Sequence, residues 1–425
     1  MEVMMKRFGM KTVFAAILGI PLAFAQTAPE SSKDAPAKAP DNSSNAANAE
    51  LPAVPTATAS GSGRTVYGEV EYLLWWMKGM ELPALATTSP NGTAQDQAGV
   101  LGAPGTTNLF GGNSVNTSPR SGGRFVAGAW LDNEQNMGLE AEFLFLETKA
   151  TRFSASSDGS AGSQILARPY TNANDNVASS IRVAFPGDVS GNLAAQATTT
   201  GLVGGGVIFR QNLEHFQRDN FRLDGLVGYR AMTFSEGVGI YNNMTNIDPN
   251  NPNFVPLGTR IDSMDSIKTS NTFNGFEAGL AGKFFNGPIS LLLDGRIALG
   301  MNHVTGEISG ATNVNVPLNG SITYPGGLYA LSSNIGNYGH QTVSIIPQFN
   351  AKAGYQLNSM TKITFGYNLL VWSAVTRAGL DIDQVVNPNL MPGSSTSGGP
   401  ARPSFGFNSS TFWAQGLSLG AEFNY

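Results

Sequence analysis

Ile289-Ser290-Leu291-Leu292-Leu293-Asp294-Gly295-Arg296-Ile297-Ala298-Leu299 alternates along its whole length. Ile289, Leu291, Leu293, Gly295, Ile297 and Leu299 share one face of an extended chain, and Asp294 and Arg296 share the other. Strand side chains project to opposite faces with period two, so the stretch predicts a strand with one apolar and one charged side. The pattern recurs. Val70, Tyr72, Leu74 and Trp76 oppose Glu69 and Glu71, while Leu139, Ala141, Phe143 and Phe145 oppose Glu140 and Glu142. Leu223, Gly225, Val227 and Tyr229 oppose Arg222, Asp224 and Arg230, and Phe276, Ala278, Leu280, Gly282 and Phe284 oppose Glu277 and Lys283. Ile363, Phe365, Tyr367, Leu369 and Val371 oppose Lys362, Thr364, Gly366 and Asn368.

Composition says what the apolar side faces. Only 13% of the 425 residues are charged, about half the usual share, and 51 are Gly. A chain wetted on all sides carries more charge, yet a mean hydropathy of -0.08 is too low for a bundle of spanning helices. A soluble β-sandwich also alternates, but its polar face is usually rich in charge. Here that face is thin in charge and heavy in Gly and Ser, and the apolar faces end in Tyr, Trp and Phe, as interfacial girdles do. The expected fold is therefore all-β: a single-chain transmembrane antiparallel β-barrel. A net charge of -5 gives no basic face for nucleic acid, and the absence of Cys removes disulfides, thiolate metal sites and Cys nucleophiles.

Lys6, Arg7 and Lys11, the apolar run Thr12 to Leu22 and Ala23-Phe24-Ala25 read as a signal peptide over residues 1–25. Residues 26–64 are Ala, Pro, Ser, Thr and Asn without apolar period, an unstructured leader that cannot offset its ordering entropy. The barrel is expected over 65–425. No stretch reaches 18 uninterrupted apolar residues, so entry into a membrane must be by closed strands, because an open sheet leaves unpaired backbone in lipid.

Connections alternate in length. Short ones are expected at Asp132 to Asn136, Glu214 to Asn220, Asn286-Gly287-Pro288 and Asn358 to Met360. Long polar ones are expected at Gly79 to Gly122, Arg152 to Thr198, Glu236 to Thr269, Val304 to His340 and Thr376 to Gly406. Tight periplasmic turns and long outer loops give this asymmetry in bacterial barrels. The strands between number about ten, or twelve with pairs hidden in the loops. The segment 79–122 carries Leu82, Leu85, Val100, Leu101, Leu109 and Phe110, which must bury against the inner wall or a neighbouring loop, as a plug or a cap. Leu417, Leu419, Ala421, Phe423 and Tyr425 alternate to the last residue. That resembles the terminal strand signal of outer-membrane proteins read by the barrel assembly machinery.

Longer motifs carry a family resemblance. Glu71-Tyr72-Leu73-Leu74-Trp75-Trp76, Leu82-Pro83-Ala84-Leu85, Thr87-Thr88-Ser89-Pro90, Gly122-Gly123-Arg124 and Trp130-Leu131-Asp132 resemble the opening of the β-barrel porin type 7 family of bacterial outer-membrane proteins. Phe365-Gly366-Tyr367-Asn368, Arg377, Gly379, Ile382-Asp383 and Val386-Asn387-Pro388 are similar to its late segment. The resemblance spans roughly Tyr67 to Tyr425. It implies an outer-membrane barrel and supplies neither substrate nor catalytic residues.

The chemistry-bearing residues are few. His215 falls in a short turn, and His303 and His340 are expected at the outer rim, with no zinc spacing among them. Gly204-Gly205-Gly206 lacks the Lys-Ser/Thr of a phosphate loop and sits in a strand pattern. No catalytic, metal or cofactor residues are assigned. The lumen is expected to carry Arg124, Arg210, Arg222, Arg230, Lys283, Arg296, Lys352 and Lys362 against Glu69, Glu71, Glu140, Glu142, Asp224, Glu277, Asp294 and Glu422. Two readings place these charges inward: a packed polar core, or a passage for small polar solutes selected by charged rings. The functional expectation is porin-like passage of small hydrophilic solutes, without enzymatic activity and with outer-membrane lipids around the barrel. The alternatives are a structural or surface-binding barrel without an open pore, and an outer-membrane hydrolase.

Overall fold

The computed structural model describes residues 66–250 and 255–425, so the signal peptide and leader lie outside the described residues. Ten strands carry the fold: β1 Val66–Met77, β2 Arg120–Trp130, β3 Met137–Leu146, β4 Val203–Asn212, β5 Phe221–Asn246, β6 Arg260–Asn286, β7 Ile289–Val316, β8 Gly336–Gln356, β9 Thr361–Thr376 and β10 Ser409–Asn424. Each pairs antiparallel with the next, and β10 returns to β1, where Leu74 faces Leu417. The ring is closed, so every edge is paired inside the sheet.

Register fixes the two faces. Along β3, Leu139, Ala141, Phe143 and Phe145 are exposed on the outside, while Glu140, Glu142, Leu144 and Leu146 are buried within. On β7, Leu291, Leu293, Ile297, Leu299 and Met301 stand outward, and Asp294, Arg296 and Ala298 stand inward. A one-residue slip would exchange the faces of a whole strand, so the apolar band pins the register. Leu293→Arg places a cation in that band and is expected to cost about 2–4 kcal/mol in refolding titrations. Leu293→Ala is the reference, and equal tolerance of the two variants would contradict the outward placement.

Three of the expected long loops are mostly strand. β5, β6 and β7 run on beyond the apolar band, through the stretches 236–246, 260–269 and 304–316. Within Arg152 to Thr198, Lys149–Ser157 pairs with Val189–Thr199, which pairs with the upper part of β5, and the hairpin Leu166–Asn172 with Ala178–Ala184 belongs to a separate small sheet with Ala86–Thr88 and Thr107–Phe110. The reason is a reversal of phase. Below the end of the band the outward face is apolar and the inward face polar. Above it Phe234, Val238 and Ile240 point inward and Ser235, Gly237 and Gly239 outward. Lys149–Ser157 and Val189–Thr199 extend the wall above the band without entering the ring of ten. β2 begins at Arg120, within the stretch read as the first long loop.

Candidate functional site

The interior is layered. The four short turns and both ends of the described barrel lie at one end, taken as periplasmic by turn length. Nearest that end, the eight basic and eight acidic side chains expected in the lumen all stand inward, and every one is paired. Arg124 binds Glu71, and Lys352 Nζ lies 2.6 Å from Glu69 and 3.0 Å from Glu71. Arg210 lies 3.0 Å from Glu140 and 3.2 Å from Asp224, which Arg222 also holds at 2.8 Å. Arg230 meets Glu277 at 2.9 Å. Lys362 binds Glu422, with Lys283 at 3.9 Å. Arg296 lies 2.6 Å from Asp294 on its own strand and 2.9 Å from Glu142 on β3. β7 and β3 are four strands apart in the ring, so this last pair crosses the lumen. A cavity of about 330 Å³ remains among these groups, bordered also by Tyr67, Trp130 and Phe285.

Above the charges lies an apolar layer. Leu73, Trp75, Leu144, Met232, Phe234, Phe273, Ala298, Ile346, Leu370, Trp372, Phe412 and Ala414 are inward-facing and form one cluster, none more than 3% exposed. Eight of the ten strands contribute to it, Leu202 joins it from just before β4, and β2 offers Gly122 beside Leu146. Phe234 and Phe412 meet at 4.4 Å between ring centroids with their planes tilted by 41°, and β5 and β10 are diametrically opposite in the ring. Gly206, in the run read as strand rather than phosphate loop, faces inward on β4, where an added Cβ would stand 2.4 Å from the Tyr229 carbonyl oxygen. Its role is close strand approach.

The third layer is a second apolar core inside the extended strands. Met80, Leu82, Leu85 and Phe110 from the segment 79–122 pack with Leu193, Val238, Ile240, Ile267 and Ile308 of the wall. Two buried ion pairs missing from the sequence reading fasten it. Arg377 holds Glu236 at 2.6 Å and donates to the Gly79 carbonyl at 2.8 Å. Arg168 binds Asp265, which also accepts from the backbone N–H groups of Leu328, Tyr329 and Ala330 at 2.8–3.0 Å. Only the reversed phase of the strand extensions would have pointed to Glu236 and Asp265.

The histidines do not converge. His303 lies opposite Gln341 and Val304 opposite His340, so the two imidazoles sit in successive rows and project to opposite faces of the wall. His215 is exposed in the turn Glu214–Phe216. Among the described residues no cluster of His, Asp and Glu is placed to hold a metal.

Burial pushes the Asp381 carboxyl, in the outer segment after β9, up to about 6 from 3.8. It accepts from the Asn408 backbone N–H at 2.8 Å. The folded state then holds a proton that the unfolded state releases, so local stability falls as pH rises from about 4 to about 6 and is flat above. With the intrinsic rise of amide exchange with pH divided out, the protection of the Asn408 amide is expected to fall over that interval. In Asp381→Asn the dependence should vanish, and an unchanged pH profile in that variant would contradict it.

A family profile described as Putative beta barrel porin-7 matches residues 67–425. No curated protein matches the chain. Solved structures similar to it include the outer membrane protease OmpT of Escherichia coli, at 9% identity and a TM-score of 0.38 over 87% of this chain and 100% of that one. The toluene transporter TodX of P. putida aligns at 7% identity and a TM-score of 0.19 over 85% and 89% of the two chains. A FadL homologue of Pseudomonas aeruginosa aligns at 9% and 0.21 over 85% and 90%. Likeness of this degree says nothing about what the chain does.

Proposed function

The chain belongs to the beta barrel porin-7 family and resides in the bacterial outer membrane, and from that premise we propose that it works as a closed barrel whose function lies at its outer end. The observation that carries this reading is the Phe234–Phe412 contact between opposite walls of the ring, within a buried apolar layer. Water and hydrophilic solutes cross a barrel through a polar lumen, and a continuous apolar layer opposes them. The charged layer beneath is self-neutralising, with each cation committed to a carboxylate, which supports the packed-core reading of these residues over a selectivity ring. Solute passage ranks second, because it requires Phe234 and Phe412 to part. The outer core and its loops then form a head fastened by Arg168–Asp265 and Arg377–Glu236, suited to structural or surface-binding work. We include in the proposal a non-enzymatic role, supported by the divergent histidines, and recognition of β10 by the assembly machinery.

Solute uptake tests the proposal. Liposomes carrying the barrel are expected to swell in small sugars and amino acids no faster than empty liposomes. The same should hold after Glu81 to Pro119 is replaced by a short Gly/Ser linker, because the apolar layer lies beneath that segment. Rapid swelling with the unaltered chain would overturn the closed-barrel reading in favour of passage.

A further inference from the structure

The outward face of the wall carries a concavity that the closed-barrel reading does not use. It is a trough of about 1000 Å³ over the extensions of β5, β6 and β7 and the strand Val189–Thr199. Its floor is small: Gly239 lies between Gln196 and Ser266 in register, and Gly237 between Thr198 and Lys268. Arg152, Tyr241, Met264 and Glu307 stand at its margins. Hydroxyl and amide groups of Ser154, Gln196, Thr198, Ser235, Ser266 and Ser270 line it throughout.

Two glycines on one face of a strand interior cost stability unless something needs the space. At other ring positions the protein itself needs it: a Cβ at Gly228 or Gly300 would stand 2.4 or 2.2 Å from a backbone oxygen, and the open glycines Gly295 and Gly339 stand singly, away from this trough. A Cβ at Gly239 would meet nothing within 4 Å, and one at Gly237 would make only ordinary contact with Lys268. Nothing in the described chain fills the room these residues leave.

Position identifies the occupant. The outward apolar run of β7 ends at Met301 and that of β6 at Phe276, and the trough begins four and six residues beyond them, with Thr305 and Ser270. It opens sideways from the wall, at the level where the outer leaflet's headgroups surround a barrel. Its chemistry matches a polyhydroxylated, anionic headgroup. Among the outward side chains that line it there are two cations, Arg152 and Lys268, to one carboxylate, Glu307. Lys268 meets Glu307 loosely, at 3.4 Å and with both side chains more than half exposed. Arg152 donates Nε to the Gln196 amide oxygen at 2.9 Å, a neutral partner.

We propose that this trough seats the phosphorylated saccharide headgroup of an outer-leaflet glycolipid, with Arg152 and Lys268 toward phosphate and the Ser, Thr and Gln side chains toward sugar hydroxyls. Such contacts are charge-assisted at the phosphate and geometrically specific at the sugar.

The test titrates labelled lipopolysaccharide into the full-length barrel in detergent micelles. Gly239→Trp fills the floor. Gly339→Trp is the control: its Cβ also meets nothing within 4 Å, and it lies on β8, outside the trough. The unaltered chain and Gly339→Trp are expected to bind saturably, and Gly239→Trp at least tenfold more weakly. Arg152→Ala combined with Lys268→Ala should weaken binding to a similar extent, and it decides the matter if Gly239→Trp fails to fold by heat-modified gel migration. Binding unchanged in both variants would overturn the proposal. So would displacement by phosphatidylglycerol as effective as by unlabelled lipopolysaccharide, which would reduce the site to charge alone. Equally effective displacement by the lipid-free oligosaccharide would overturn the lipid source in favour of a soluble glycan.

Discussion

Arg296→Ala is expected to destabilise the barrel by about 3–5 kcal/mol, the range for removing one partner of a buried ion pair. Arg296 is 6% exposed and is held by Asp294 on its own strand and by Glu142 from across the lumen. Its loss leaves both carboxylates buried without their main counter-ion, and Glu140 at 3.9 Å loses its second cation. The desolvation cost of the acids remains while the attraction that offset it is gone. Lys268→Ala is the contrast, since an exposed pair contributes about 0–1 kcal/mol. Equilibrium refolding into lipid vesicles measures both. A loss below about 1 kcal/mol for Arg296→Ala would show that the lumen is wet enough for water to replace the guanidinium.

Phe412→Ala is expected to cost a similar amount, about 3–5 kcal/mol, for a different reason. Its ring is fully buried against Phe234 on the opposite wall, with its centroid 5.9 Å from Arg377 Cζ. The ring of ten strands cannot collapse inward to fill the void, because its circumference is fixed by the pairing of each strand with two neighbours. Phe412→Leu keeps most of the volume and should cost less than half as much. If both substitutions proved equally mild, the aromatic contact would not span the lumen as a packed layer.

How much of this was legible in the sequence depended on which side of the membrane border a residue occupied. Within the apolar band, period-two alternation identified the strands and the inward position of each charge, because lipid demands an apolar face and leaves polarity only to the lumen. Spacing alone therefore sets Asp294, Glu142 and Arg296 on the polar faces of their strands. Above the band, β5 to β7 continue as strands, but water is now outside and the plug inside, so Val238, Ile240, Ile267 and Ile308 turn inward and Ser, Thr and Gly turn outward. Read for an apolar outer face, those stretches looked like polar loops. The apolar layer was hidden for a third reason. Leu73, Trp75, Leu144 and Phe412 sit on the nominally polar faces of their strands, and nothing local distinguishes an apolar side chain that meets its counterparts across a lumen from one that faces water. Arg168 and Asp265, 97 residues apart in sequence, are joined only by the packing of the outer core.

Single-channel recording in planar bilayers tests the closed lumen most directly. With the unaltered, fully folded chain at moderate voltage, the proposal that the layer from Leu73 to Ala414 closes the lumen predicts no discrete conductance steps. Phe412→Ala combined with Phe234→Ala, which removes the cross-lumen contact, is expected to admit small ion currents wherever the barrel still forms. Regular, reproducible steps from the unaltered chain would contradict the account and return the lumen charges to the role of a selectivity ring.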